Sequence, residues 1–182
     1  PRLLNLRELI EAFISHRREV VTRRTVFDLR KARERGHVLE GLAVALSNVD
    51  EVIALIKAAP TPADAKRELM ARTWVSPLVR EMLDRSSAEQ YRPEGLGAEF
   101  GLKAEGYRLS DEQAQAILEL RLQRLTGLEQ DKIREEYREV VALIADLLDI
   151  LDKPARITEI IAAELRSVKE EFGDKRRTEL VT

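Results

Sequence analysis

Residues 16–35 read HRREVVTRRTVFDLRKARER. Val20 and Phe27 lie one heptad apart, and Leu6 and Phe13 extend their series backward. A second series starts at Leu3 and Ile10 and turns basic at Arg17, Arg24 and Lys31. Interleaved, Leu3, Leu6, Ile10, Phe13, Arg17, Val20, Arg24, Phe27, Lys31, Glu34 and Val38 step alternately by three and four, the rhythm of a helix with a narrow seam. Such a rod pairs with one partner helix rather than sinking into a core. The stretch carries eight Lys and Arg against Glu19, Asp28 and Glu34, although the whole chain has a net charge of −2. The pattern runs on through VLEGLAVALSN, and Asn48 reads as a helix end or a new N-cap.

The other end of the chain repeats the spacing. Ile133, Tyr137, Val140, Ile144, Leu147 and Leu151 form one series, and Ile157, Ile161, Leu165, Val168 and Phe172 form the next. Asp152-Lys153-Pro154 interrupts them, because proline breaks a helix or starts one. Gly173 reads as the C-terminal cap. Residues 3–46 and 129–172 are equally long, each about 66 Å as helix at the standard rise. The expectation is an all-α fold: a long antiparallel two-helix coiled coil, with Leu3 near Phe172, capped by a small globular helical head. The expected boundaries are a first stalk helix at 1–46, the head at 47–128, return helices at 129–173 and a polar tail at 174–182 leading into a longer parent chain. The start on Pro1, with helical periodicity almost at once, points the same way.

Within 47–128, NVDEVIALIKAA, TPADAKRELMAR and SPLVREMLDR each open on a helix start signal. The glycine-rich stretch RPEGLGAEFGLKAEGYRL reads as loop with short extended pieces. SDEQAQAILELRLQRL then opens with Ser110 three residues before Gln113, the capping-box spacing, and breaks at Thr126-Gly127.

Composition excludes several classes of function. The 182 residues are 44% hydrophobic, 4% aromatic and 35% charged, a mix that suits long helices with charged flanks. Cysteine is absent, which excludes disulfides and thiolate metal sites and makes a reducing compartment, the cytoplasm, the expected location. No signal peptide is visible, and no apolar run approaches the ~20 residues needed to span a bilayer. His16 and His37 are the only histidines, which nearly excludes a His-based metal site, and both read as solvent-facing or seam-edge rather than as the base of a hydrolytic triad, which has to lie beside a nucleophile and an orienting acid. Pairs such as Glu135 and Glu139 have the spacing of a solvated helix face. Tyr137 falls on the apolar seam, Tyr91 and Tyr107 read as surface residues flanking loops, and Trp74 reads as the anchor of a small core. No catalytic, cofactor or metal residue is therefore assigned. Arg17, Arg24 and Lys31 share one stripe and Arg23 and Arg30 its neighbour, a spacing suited to sequence-blind phosphate contacts.

HRREVVTRRTVFDLRKARER and LSDEQAQAILELRLQRLTGLEQDKI, together with PTPADAK and EEFGDKRRTEL, closely resemble the A subunit of bacterial DNA gyrase, over essentially the whole chain. The equivalent subunit of topoisomerase IV is a close relative and the alternative family reading. An autonomous helical binding module, such as a synthetase arm, would explain the rods and the charge but not the head.

The resemblance implies the coiled coil and exit gate (C-gate) of a type IIA topoisomerase: a homodimeric knob through which a transported duplex leaves during ATP-dependent supercoiling. The implied partners are DNA and the gyrase B subunit, with gyrase-poisoning toxins a further one, and no membrane is involved. Mg2+ and ATP belong to the parent enzyme through the partner subunit, with no cofactor in this stretch. The family cleaves DNA with a tyrosine that follows an arginine. Here Gln90, Gly106 and Glu136 precede the tyrosines, so no cleavage is expected of this chain alone. The implied dimer surface falls on Leu39, Leu42 and Leu46 and on Ala114, Ile117, Leu118, Arg121 and Leu125, with Arg121 also the expected toxin contact. The expected DNA-facing residues are Arg17, Arg18, Arg23, Arg24, Arg30 and Lys31.

Overall fold

The long apolar-basic pattern folds as one helix, α1, Leu6–Ser47, with no proline to interrupt it. The computed structural model describes residues 3–84, 90–120, 127–175, 177 and 178. After α1 come α2 (Val49–Ala58), α3 (Pro62–Ala71), β1 (Thr73–Trp74), α4 (Pro77–Asp84), β2 (Gly101–Lys103), β3 (Gly106–Arg108), α5 (Asp111–Leu118), α6 (Gly127–Asp152) and α7 (Pro154–Phe172). Helices dominate, as expected. The structure adds a small antiparallel sheet in the order β1-β3-β2. Thr73 and Trp74 pair with Arg108 and Tyr107, and Gly101–Lys103 pairs back along Gly106–Arg108.

The local signals set the helix starts. Thr61 caps α3 by accepting from the Asp64 amide, with Pro62 in the first turn. Ser110 and Gln113 form the full capping box of α5: the Ser110 hydroxyl accepts from the Gln113 amide, and the Gln113 side chain accepts from the Ser110 amide at 3.0 Å. Pro154 opens α7. Asn48 behaves differently. Its side chain makes no N-cap bond to α2 and instead donates to the carbonyl oxygens of Val44 and Val75. At Gly106, φ is +142°, and an added Cβ would press on the Trp74 carbonyl oxygen, so only glycine lets β3 lie against β1.

The chain divides into two compact units, Leu29–Ala145 and Pro1–Asp28 with Asp146–Thr182. In the first, Leu39, Ala43, Val44, Leu69, Val79, Leu109 and Ala114 are fully enclosed, and α3 packs on both α2 and α5. Trp74 anchors this core as expected, 2% exposed, and its indole N–H donates to the Leu69 carbonyl. Two expectations fail here. Tyr107 is not a surface residue but 1% exposed, and His37 is not at a seam edge but 5% exposed. The sheet draws Tyr107 inward, and Gly36-His37 lies where α1 meets α5 and α6 rather than solvent.

In the second unit, Val21, Leu147, Ile150 and Ile161 are the buried large apolar side chains among the described residues. The seam positions at the start of α1 are open: Leu3 is 100% exposed, and Leu6, Ile10 and Phe13 are exposed as well, as is Phe172. At this end of the expected stalk the Leu3 and Phe172 side chains are both open to solvent rather than buried in a seam.

Candidate functional site

In the unit holding the start of α1, Glu164 of α7 accepts from both Arg17 (2.5 Å) and Arg24 (2.6 Å). These two bonds hold the Glu164 carboxyl below its usual range, Arg24 contributing most. Arg18 donates to the Thr158 hydroxyl at 3.4 Å, and Arg23 reaches Glu19 one turn away at 3.4 Å. Arg30 and Lys31, in the other unit, both lie near Glu34, at 3.9 and 2.8 Å. Arg33 donates to the Gln90 carbonyl and Glu94, and Arg35 to Glu136. The eight cations are thus not a bare stripe, and two of the six expected DNA-facing residues, Arg17 and Arg24, converge on one acid of another helix.

The expected interface residues divide. Leu39, Leu42, Leu46, Ala114 and Ile117 lie in the core of the Leu29–Ala145 unit. Leu118 is partly buried and lines an apolar groove of roughly 240 Å³ with Val49, Val52, Ile53, Ile56 and Leu120. Arg121 and Leu125 lie outside the described residues.

The same unit holds a polar cluster that no sequence pattern announced. The Gln113 side-chain amide donates to the Tyr107 hydroxyl (2.6 Å) and to the His37 carbonyl (2.7 Å) and lies 3.2 Å from His37 Nδ1. With Nδ1 an acceptor, the network assigns the proton to Nε2, which donates to the Ser110 hydroxyl at 2.8 Å. Tyr107 in turn donates to Glu40 Oε2 at 2.7 Å, and Tyr137 donates to Oε1 at 3.1 Å. One chain of hydrogen bonds therefore ties α1, β3, α5 and α6 together. Gly41 makes room for it: a Cβ there would sit 2.7 Å from the Gln113 side chain.

Burial governs the charges in this cluster. It pushes the Glu40 carboxyl up to about 7, against the opposing pull of the Tyr107 and Tyr137 hydroxyls and of Arg92. It pushes His37 down to about 4, with Arg92 adding to the effect and Glu112 opposing it. It also raises the Tyr107 hydroxyl well above its ordinary range, with the Glu40 charge next in weight. His37 is thus neutral at pH 7, and Glu40 sits near its midpoint. The available signal was a lone acid, Glu40, inside the apolar run VLEGLAVAL, with glycine on one side of it. Among the described residues no group of three or more His, Cys, Asp or Glu is arranged to hold a metal ion, and no helix is long and apolar enough to cross a membrane.

The family model for the DNA gyrase/topoisomerase IV A subunit matches residues 1–166. The DNA gyrase A subunit of Pseudomonas aeruginosa is 60% identical over 181 residues, covering 100% of this chain and 20% of that protein. Its counterpart from Neisseria gonorrhoeae is 56% identical over 99% of the chain, and that of Escherichia coli 55% identical over 99%, covering 20% and 21% of those proteins. The chain spans about a fifth of the length of these relatives. With the match running through both the basic helix and the capped α5 segment, the chain belongs to the family of DNA gyrase and topoisomerase IV A subunits.

Proposed function

We propose that this chain is the stalk and exit-gate region of a gyrase-type A subunit, non-catalytic by itself. In this reading the helices of the unit built from residues 1–28 and 146–182 belong to the coiled-coil stalk, and the Leu29–Ala145 unit is the knob that meets its own copy across a twofold axis. The whole enzyme, with its B subunit, ATP and Mg2+, supercoils DNA, and the gate lets the transported duplex leave. The gate works in the cytoplasm, where the chromosome is. The observation that carries this reading is the apolar groove beside Leu118. It lies at the C-terminal end of α5, in a unit where most of the large apolar side chains are already enclosed. An isologous dimer needs such a self-complementary patch. With Leu39, Leu42, Leu46, Ala114 and Ile117 committed to the core, the proposed dimer contact is Leu118 with its groove neighbours; Arg121 and Leu125, which follow in the sequence outside the described residues, stay in the proposal, Arg121 also as the contact for a gyrase-poisoning toxin.

Sedimentation equilibrium of Leu118→Glu tests the gate. An unpaired carboxylate buried at the dimer contact weakens association by about tenfold or more. A dimer of unchanged strength in a folded variant removes α5 from the interface.

A further inference from the structure

One guanidinium gathers residues 96–100, just before β2. Arg92 donates to the carbonyl oxygens of Phe100 (3.1 Å), Leu96 (3.4 Å) and Gly97. Three carbonyl oxygens accept from its two terminal nitrogens but supply no counter-charge, so the cation stays electrostatically uncompensated by these hydrogen bonds. Nearby is a group able to supply that charge. Arg92 and Glu40 line the same cavity of roughly 190 Å³, together with His37, Pro93 and Leu96. Both oxygens of Glu40 accept from tyrosines, yet neither tyrosine carries a positive charge to offset ionisation.

We propose that Glu40 is a proton-operated latch on residues 95–101: while its carboxyl is neutral, Arg92 stays on the segment's carbonyl oxygens, and once the carboxyl ionises, Arg92 is drawn to it across the shared cavity and lets the segment loosen. The groups facing Glu40 support this direction of movement. On its own helix, His37 is neutral near pH 7 and bonded to Ser110 and Gln113, so it offers no cation. Tyr107 from β3 and Tyr137 from α6 donate hydrogen bonds to it. From α5, Gln113 is uncharged and Glu112 acts on His37. From α4, Leu83 lines the cavity. Among the described residues, Arg92 is the cation that acts on Glu40. Arg33 holds the near end of the segment at Gln90 and Glu94, which confines the loosening to the part beyond Glu94. The raised carboxyl places the switch near neutral pH. The latch belongs to the Leu29–Ala145 unit itself and is independent of the gate role.

Two NMR measurements on the 182-residue chain test it. The first follows the glutamate side-chain 13Cδ signals against pH, with Glu40→Gln assigning the resonance. The second follows amide exchange at Phe100, whose N–H bonds to the Gly97 carbonyl, corrected for the intrinsic pH dependence. Between pH 5.5 and 8 the ionised fraction of a carboxyl titrating near 7 rises about thirtyfold, and the corrected exchange at Phe100 is expected to rise about tenfold with the same midpoint. In Glu40→Gln the exchange stays slow at both pH values. In Arg92→Gln it is fast at both. Equal corrected exchange at the two pH values in the wild type overturns the latch, as does the same rise in Glu40→Gln. If Glu40→Gln does not fold, the wild type decides alone: a rise at Phe100 whose midpoint is shared by no buried glutamate signal rejects the mechanism.

Discussion

Glu40 and His37 lie one helical turn apart on α1, and burial moves them in opposite senses, Glu40 from 4.5 to about 7 and His37 from 6.5 to about 4. The folded state holds a proton on Glu40 that the unfolded chain releases, so its contribution to stability is full below pH 4.5 and is lost as pH rises through about 7. His37 works the other way: its contribution is full above pH 6.5 and is lost as pH falls toward about 4. Each shift corresponds to about 3 kcal/mol, so over the window from about 4.5 to 6.5 the two slopes nearly cancel. Chemical denaturation across that window is expected to give a nearly level profile for the wild type. Glu40→Gln unmasks the histidine slope, and stability falls with acid. His37→Gln unmasks the carboxyl slope, and stability rises with acid. Parallel profiles for both variants would remove the two groups from the linkage. Gly41 offers a simpler check. Inside a helix, Gly→Ala ordinarily stabilises by about 1 kcal/mol. Here the added methyl meets Gln113 at 2.7 Å, and overpacking of this kind costs about 1–3 kcal/mol, so Gly41→Ala should lower the melting temperature.

Among the elements, α1 and α7 show how charge replaces apolar packing where the second seam series turns basic. One carboxylate, Glu164, serves Arg17 and Arg24, which follow each other by two helical turns. Glu164 is 31% exposed, Arg17 28% and Arg24 48%, so the pairs are modest, about 1 kcal/mol or less after solvent screening, and salt-sensitive. Glu164→Gln should therefore lower the melting temperature by a few degrees in low salt, with the difference from wild type shrinking at about 1 M salt. A salt-independent loss would assign Glu164 a packing role instead. The helices and their caps are legible in the sequence because their causes are local: Ser110 and Gln113, Thr61 and Pro62, and Lys153-Pro154 each act within one turn. The sheet is not, since strands of two or three residues are too short to show a period of two. Nor is the cluster around Glu40, because its members at positions 37, 40, 107, 113 and 137 meet only after four elements have packed. The spacing of Gln113 from Ser110 announces its capping bond and nothing else, and the loops that flank Tyr107 hide its burial.

At the scale of the whole molecule, a net charge of −2 means that DNA attraction has to come from exposed cations whose local partners are cheaply displaced. Arg17 and Arg24 are poor probes of it: reversing either places a repelling charge beside Glu164 and disturbs the α1–α7 contact along with any phosphate contact. Arg18 and Arg23 are better. Among the described residues, Arg23 is 78% exposed and paired with Glu19 at 3.4 Å, and Arg18 is held by a long bond to a threonine hydroxyl. A phosphate displaces partners of this kind at a cost below about 1 kcal/mol. The chain is therefore expected to bind unrelated duplexes equally and weakly, with binding steeply reduced between about 50 and 200 mM salt. The double variant Arg18→Glu, Arg23→Glu should keep the wild-type melting temperature, because neither side chain is part of the apolar contact. If both arginines touch phosphates, its log-affinity against log-salt slope should be shallower by about 2, since each neutralised phosphate contributes about 0.9 to the slope. An unchanged slope in the folded double variant would mean that this face of α1 meets water and its own acids rather than phosphate.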